Sequence, residues 1–199
     1  LTPIIVDFLT RGKTPEEALA EILEWQTGSD DRVMVGNHFK LMIDGAIFSG
    51  LAQMGPPGYL DGHEGVWMVP EPVLRAYGEV FWRAGFQLHA HANGDAAVDR
   101  FLKLIEGLQR DFPRPDHGST IEHLAYSTEQ QSAQLAKLGA QASVNPYYHY
   151  ILSEAYSGDW VGPDRAAQMT RLGSLERYGV PLTVHSDGPM APLSPLTLV

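Results

Sequence analysis

The chain has 199 residues, of which 44% are hydrophobic and 19% are charged, a balance typical of a soluble globular protein with one substantial core. The formal net charge is −10 without any cluster of lysine and arginine, which argues against nucleic-acid binding. No apolar run is long enough to span a membrane, and the absence of cysteine excludes disulfides and thiolate chemistry. We expect a cytoplasmic protein that binds neither nucleic acid nor membranes.

Short apolar strands alternate with helical patterns along most of the chain. Helix starts are indicated by capping signals: Ser127 with Gln130 predicts a capping box, and Asp95 is placed to cap the helix that follows it. In chain order, the predicted elements are a helix over 13–25, a strand over 38–45, a helix over 69–85, a strand over 86–93, a helix over about 96–111, a strand over 119–126, a helix over 127 to about 137, a strand over 140–146, a helix over 162–179 and a strand over 180–189.

Repeated strand–helix–strand units with nearly continuous apolar strands predict a parallel sheet in an α/β fold. Polar residues at successive strand ends favour a (β/α)8 barrel, which collects its chemistry at that face. Five core strands, rather than eight, indicate a partial TIM-type barrel with outer helices. We expect residues 1–32 to be a helical segment leading into the barrel and 33–199 to form the partial barrel. A doubly wound domain binding a sugar or nucleotide is the structural alternative.

A polar residue stands near the C-terminal end of each predicted strand, and Lys40 lies inside the first strand. Imidazole and carboxylate groups suit Zn²⁺ or a similar divalent ion. Such an ion lowers the pKa of a bound water, and a neighbouring carboxylate can accept the proton. Several such residues at equivalent strand ends favour a functional site over isolated packing roles. The strand-end residues are Asp44, His91, His123, Asn145 and Asp187.

Strand alternation separates residues that face the site from those that do not. His89 and His91 are two apart and face the same side, and His89, one layer deeper, is expected to be a core residue or to steady the site. Glu122 has the opposite parity to His123 and is expected to face the helix layer.

The remaining histidines are assigned by position. His185 has the parity of Asp187 and is expected to point inward below it, and His38 is expected to be structural. His63 and His117 lie in loops rich in glycine and proline and are expected at the surface. The residues expected to line a substrate pocket are Asp44, Asn145 and His149.

Four short blocks, in this order, resemble the metal-dependent amidohydrolase superfamily, most closely its amidohydrolase family 3 branch. FKLMIDGAIFSG is similar to the strand-4 segment of that family and LHAHANGDAAVD to its strand-5 block. TIEHLAY is similar to the strand-6 block and VHSDGPMAPLSPL to the strand-8 block. The resemblance covers roughly residues 33 to 199.

The resemblance implies a set of roles for these residues. His91 and His123 correspond to metal ligands, and Asp187 corresponds to a ligand that is also the general base. Lys40 falls where many members carry a carboxylated lysine that bridges two metals. One or two divalent ions, zinc by preference, and a small amide-type substrate are therefore implied. The family hydrolyses carbon–nitrogen bonds, including N-acyl and N-formyl groups and cyclic amides.

The chain also departs from the family pattern. The opening His-x-His pair of strand 1 has no counterpart before Lys40, so we expect a fragment that lacks it. Asn93 replaces a residue that is usually apolar, and Ala96 replaces a common arginine. His149 lies one position later than the usual histidine, and His185 stands where glycine is common.

These features leave a second hypothesis for function and one for assembly. A catalytically silent barrel relative would bind a small molecule without metal. A partial barrel exposes the edges of its sheet, which are prone to pair with another copy. We therefore expect a homo-oligomer, or completion of the barrel by a partner chain.

Overall fold

The computed structural model describes residues 1–198, and its five strands are β1 (His38–Met42), β2 (Gln87–Ala92), β3 (Thr120–His123), β4 (Gln141–Val144) and β5 (Leu182–Val184). They form one parallel sheet in which each strand pairs with the next one along the chain, in the order β1-β2-β3-β4-β5. A doubly wound sheet reverses its strand order at a switch point, whereas a (β/α)8 barrel does not. The predicted α/β class is confirmed, and the described strands do not follow the doubly wound order.

Helices precede the sheet, connect its strands and follow it. A 3₁₀ turn covers Ile47–Ser49, and two π-helical turns, Tyr148–Leu152 and Tyr156–Trp160, flank α6. Within residues 1–198, no helix has the length and apolar character needed to cross a membrane. The helices are α1 (Ile5–Thr10), α2 (Pro15–Thr27), α3 (Glu71–Arg83), α4 (Asp95–Asp111), α5 (Glu129–Leu138), α6 (Ser153–Ala155), α7 (Pro163–Ala166), α8 (Leu172–Arg177) and α9 (Pro195–Leu198).

The helix predicted over 162–179 is wrong as a single element. The structure contains α7 and α8 there, separated by a turn in which Thr170 has a φ of 49°. A β-branched residue in the left-handed region is strained and cannot continue an α-helix. The amide of Thr170 instead donates to the carbonyl of Ala125, at 2.9 Å. This contact ties the turn to the segment after β3.

The caps of two helices also differ from the predictions. The capping box of α5 is formed by Thr128 and Gln131, one residue later than the predicted pair Ser127 and Gln130. Asp95 is the first residue of α4 rather than its cap. Both corrections are shifts of one residue, within the usual uncertainty of a helix boundary.

The apolar side of the sheet faces the helices and leaves a polar side opposite. Phe39, Leu41, Leu88 and Ala90 are fully buried in the main core. The ring of Phe39 stacks on Phe81 of α3, with ring centroids 3.6 Å apart. The residues between them along β1 and β2 are only half-buried. Burial of one face therefore turns the alternate residues of each strand towards a common polar face.

Candidate metal centre

The polar face of β1 and β2 carries most of the ionisable residues predicted for the site. Lys40 of β1 and His89 and His91 of β2 occupy the half-buried alternate positions of their strands. Lys40 lies opposite His89 in the strand register, and Met42 lies opposite His91. His89 and His91 therefore share one side, as predicted, and His91 is nearer the C-terminal end of the sheet.

The end of β3 breaks the alternation of side chains. His123 and Leu124 have φ values of 76° and 45°, in the left-handed region that non-glycine residues rarely adopt. The prediction that Glu122 faces the helix layer is wrong, because Glu122 Oε1 lies 2.7 Å from His89 Nδ1 on the polar face. The left-handed turn at His123 also allows its imidazole to approach His91, with ring centroids 4.5 Å apart.

Two imidazoles and one carboxylate converge at the C-terminal end of the sheet. His123, His185 and Asp187 each offer one ligand atom, and these atoms all lie within 4.8 Å of one another. His123 Nδ1 is 3.9 Å from the Asp187 carboxylate, and the ring centroids of His123 and His185 are 5.1 Å apart. Asp187 also has a left-handed backbone, with a φ of 54°. We call these three residues the strand-end cluster.

His91 lies beside this cluster and has a partner of its own. Its Nε2 atom is 3.0 Å from the side-chain amide nitrogen, Nδ2, of Asn93, so this ring nitrogen accepts a hydrogen bond. Burial, together with the charge of Lys40, lowers the pKa of His91 to about 4. Burial, with His91 next in effect, lowers the pKa of His123 far below its usual value. Both rings are therefore neutral at pH 7, the form in which imidazole binds metals.

The strand-end cluster fits a divalent metal ion. His123 Nδ1 and His185 Nε2 are buried and have no hydrogen-bond partner within residues 1–198. A buried polar atom without a partner costs about 1–3 kcal/mol, and a bound cation would remove that cost for both atoms. Two neutral imidazoles and a carboxylate are donors that zinc accepts in catalytic sites. The types of ligand atom and the lack of hydrogen-bond partners both support a metal ion at this cluster.

One layer deeper, three side chains form a hydrogen-bonded chain across β1, β2 and β3. His38 Nδ1 lies 3.0 Å from His89 Nε2, and His89 Nδ1 lies 2.7 Å from Glu122. A neutral His89 can donate from Nδ1 to the carboxylate and accept from His38 at Nε2. Burial lowers the pKa of His38, with His89 next in effect. His89 is therefore held by Glu122 and His38.

Lys40 lies close to both layers. After burial, its charge helps to lower the pKa values of His91 and His123. Burial raises the pKa of Glu122, the His89 hydrogen bond lowers it, and the charge of Lys40 adds a smaller lowering effect. No carboxylate of the described residues lies within 4.0 Å of its amine. The half-buried amine therefore has no ion-pair partner among the described residues.

Asp44, predicted to line a substrate pocket, holds a loop to the end of β2. It is fully buried, and its carboxylate accepts hydrogen bonds from the backbone N–H groups of Gln53, Asn93 and Gly94 at 2.8 to 2.9 Å. Burial raises the pKa of Asp44 to about 7, and these N–H groups oppose that shift. Both carboxylate oxygens are thus occupied by the chain itself.

The other predicted pocket residues lie near the end of β4. Asn145 is fully buried, and its side-chain oxygen accepts from the amide of Tyr147 at 3.2 Å. His149 is exposed. Its neighbour Tyr148 is buried instead and lies 6.3 Å from His123 between ring centroids. Tyr148 is therefore the aromatic residue of this segment that faces the strand-end cluster.

The loop histidines behave differently from each other. His63 is exposed, as predicted, and its two ring nitrogens face acceptors on both sides: Asp61 Oδ1 at 2.6 Å and the Gly50 carbonyl at 2.9 Å. These hydrogen bonds raise the pKa of His63, the Gly50 carbonyl more than the carboxylate. The prediction that His117 is at the surface is wrong, because it is buried and lies 2.9 Å from the Leu138 carbonyl.

A sequence model of the amidohydrolase family matches residues 5–198. The chain belongs to the amidohydrolase family. This membership confirms the resemblance seen in the four sequence blocks, which all lie within the matched range. A search of curated protein sequences gave no significant match for this amidohydrolase chain.

Two solved structures of metal-dependent hydrolases share the fold of this amidohydrolase chain. One is an uncharacterized metal-dependent hydrolase from Pyrococcus furiosus, with a TM-score of 0.67 and 25% identity over 80% of this chain and 32% of that one. The other is an uncharacterized metal-dependent hydrolase from Pyrococcus horikoshii OT3, with a TM-score of 0.70 and 23% identity over 90% of this chain and 35% of that one. The chain therefore spans about a third of the length of these two relatives.

Proposed function

We propose that this chain carries part of the catalytic centre of a metal-dependent hydrolase that cleaves carbon–nitrogen bonds in small amide-type substrates. These include N-acyl and N-formyl groups and cyclic amides. The supporting observation is the convergence of His123, His185 and Asp187 at the C-terminal end of a parallel sheet, with a buried and unpartnered ring nitrogen on each histidine. Membership of the amidohydrolase family supports the same chemistry. The proposed metal ligands are Lys40, His91, His123 and Asp187, and the proposed ion is zinc, one or two per site.

The proposed reaction uses Asp187 as the general base. When bound, the metal ion lowers the pKa of water and polarises the substrate carbonyl. Asp187 accepts the proton of the attacking water and then delivers it to the departing nitrogen. Its side chain is 41% exposed, so water and substrate can reach it. The rings of His91 and His123 are neutral, the form in which imidazole binds metals, and His123 Nδ1 has no hydrogen-bond partner within residues 1–198.

Lys40 and His89 are proposed to support this site. Carboxylation of Lys40 would turn a cation into an anion that can hold a metal, at a half-buried position on the polar face of the sheet. His89 is proposed to steady the polar face through its hydrogen bonds to Glu122 and His38, rather than by binding metal.

Replacement of Asp187 by asparagine tests the proposed base. In the full-length protein, saturated with Zn²⁺, Asp187→Asn is expected to lower kcat for hydrolysis of N-acyl and N-formyl amino acids by about 10² to 10⁴-fold. Circular dichroism should show an unchanged fold. Asp116→Asn, at an exposed carboxylate in the loop that precedes β3, should retain full activity. Full activity of Asp187→Asn would refute the assignment of the base.

The alternative of a metal-free binding protein makes different predictions. It requires no metal in the protein as purified, and ligand binding unaffected by His123→Ala. Metal analysis by mass spectrometry, followed by binding measurements on that variant, separates the two functions.

Self-association is proposed from the edges of the sheet. Leu182 and Thr183 of β5 are exposed, and an exposed strand edge can pair with another copy of the chain. A homo-oligomer is expected in size-exclusion chromatography with light scattering, and a monodisperse monomer would contradict it. A cytoplasmic location stays a prediction, which cell fractionation would test.

A further inference from the structure

One member of the strand-end cluster, His185, is not accounted for by the resemblance to the family. The family commonly has glycine at this position, and the ligand set proposed above does not include it. Yet one of its ring nitrogens lies within 4.8 Å of the ligand atoms of both His123 and Asp187. Its position is held by the backbone, because the His185 amide donates to the Val144 carbonyl at the end of β4, at 2.9 Å.

The unpartnered ring nitrogens of the cluster indicate one ligand shared by both imidazoles. His185 Nε2 and His123 Nδ1 are both buried and unpartnered among the described residues. Buried polar atoms in folded proteins are nearly always paired, so two unpaired ring nitrogens beside one carboxylate need a common explanation. A hydrogen bond between the rings is not formed, and a cation that accepts both lone pairs satisfies both atoms at once.

His91 differs from His185 in this respect. Its Nε2 atom already accepts a hydrogen bond from Asn93, at 3.0 Å, where the family usually has an apolar residue. A metal ion that bound this atom would have to displace that amide. His185 Nε2 has no such competitor within residues 1–198, so it is the more available of the two nitrogens.

We propose that His185 is a direct metal ligand, which with His123 and Asp187 holds one divalent ion between the ends of β3 and β5. The proposal rests on the metal-dependent function proposed above and adds a ligand that the family pattern does not supply. Two imidazoles and a carboxylate leave a coordination position open, as catalytic zinc sites require. The preferred ion is zinc or another ion that accepts nitrogen and oxygen donors.

Nuclear magnetic resonance of the wild-type, full-length protein tests this proposal without any substitution. The protein is labelled with a nitrogen isotope in its histidines and loaded with a spin-active cadmium isotope. Scalar coupling between cadmium and a ring nitrogen of His185, as well as of His123, is the expected result. Coupling to His123 without coupling to His185 would overturn the proposal.

Cobalt binding provides a second test through affinity. Titration of Co²⁺, followed by its visible absorption, should show that His185→Gln weakens binding by at least about 100-fold, more than the loss of a group that only contacts a ligand. His63→Gln, at an exposed loop histidine bonded to Asp61 and the Gly50 carbonyl, should bind as the wild type does. Equal affinity of His185→Gln and wild type would overturn the proposal.

The two proposals fail in different ways. If the wild-type protein binds neither cadmium nor cobalt, both are overturned. If His185 shows coupling to cadmium but the zinc-loaded protein hydrolyses no carbon–nitrogen bond, only the proposed function is refuted, and the role of His185 stands.

Discussion

Truncation of Asp44 to alanine is expected to lower the free energy of unfolding by about 4 kcal/mol. The Asp44 carboxylate is fully buried and accepts from the N–H groups of Gln53, Asn93 and Gly94. Each buried donor left without a partner costs about 1–3 kcal/mol, so three give roughly 3–9 kcal/mol. Water entering the vacated space would satisfy some of these donors, which favours the lower part of the range. Asp44→Asn keeps the shape and one acceptor oxygen, and about 2 kcal/mol is expected.

Urea unfolding monitored by tryptophan fluorescence measures these differences. Asp31→Ala, at an exposed carboxylate, is the control and should change stability by less than about 0.5 kcal/mol. The reasoning is refuted if Asp44→Ala is as stable as this control. A role of Asp44 in substrate binding predicts another pattern, in which Asp44→Asn raises KM and leaves unfolding unchanged.

Two further predictions concern the glycines of α4 and the loop histidine. Gly94→Ala is expected to destabilise by about 2–3 kcal/mol, because its Cβ would collide with the Gln53 carbonyl. A Cβ at Gly107 meets open space, so Gly107→Ala should stabilise α4 by about 0.5–1 kcal/mol. Thermal unfolding in which Gly94→Ala is the more stable of the two variants would contradict this reasoning. The pKa of His63 is raised, so its contribution to stability is complete below about pH 6.5 and is lost as pH rises through the folded-state value. Amide hydrogen exchange around Asp61 should therefore quicken on that rise beyond its intrinsic pH dependence, and His63→Gln should abolish this extra change.

The five strands could be predicted because each is a short apolar run bounded by polar or turn-forming residues. The predicted strands are longer than the observed ones: 38–45 against β1 at His38–Met42, and 119–126 against β3 at Thr120–His123. Most of the excess lies at the C-terminal ends, where polar and left-handed residues follow the apolar run. Sequence patterns show the run itself, whereas hydrogen bonding to the neighbouring strand decides where it ends.

The positions of His123 and Asp187 in the candidate site follow from the positions of the predicted strands. His123 and Asp187 stand at strand ends, and parallel strands bring such ends together. The position of Glu122 was wrong because parity holds only while the backbone stays extended, and His123 has a φ of 76°. Nothing in the local sequence marks that angle, since glycine is the usual signal for a left-handed residue and is absent here. His117 was wrong for another reason: loops are usually exposed, but Leu138 and Trp82 cover this one.

The left-handed residue at the end of β3 increases the number of side chains that this strand places on the polar face. A regular strand presents only every second side chain to a given face, so neighbouring residues are divided between two environments. At the end of β3 this division fails, and Glu122 and His123 both serve the polar face, one bonded to His89 and the other beside His91. β3 thus contributes two consecutive residues to the polar face, one beside His89 and one beside His91. If His123 had an extended φ, its side chain would turn to the opposite face from Glu122, with no change in sequence.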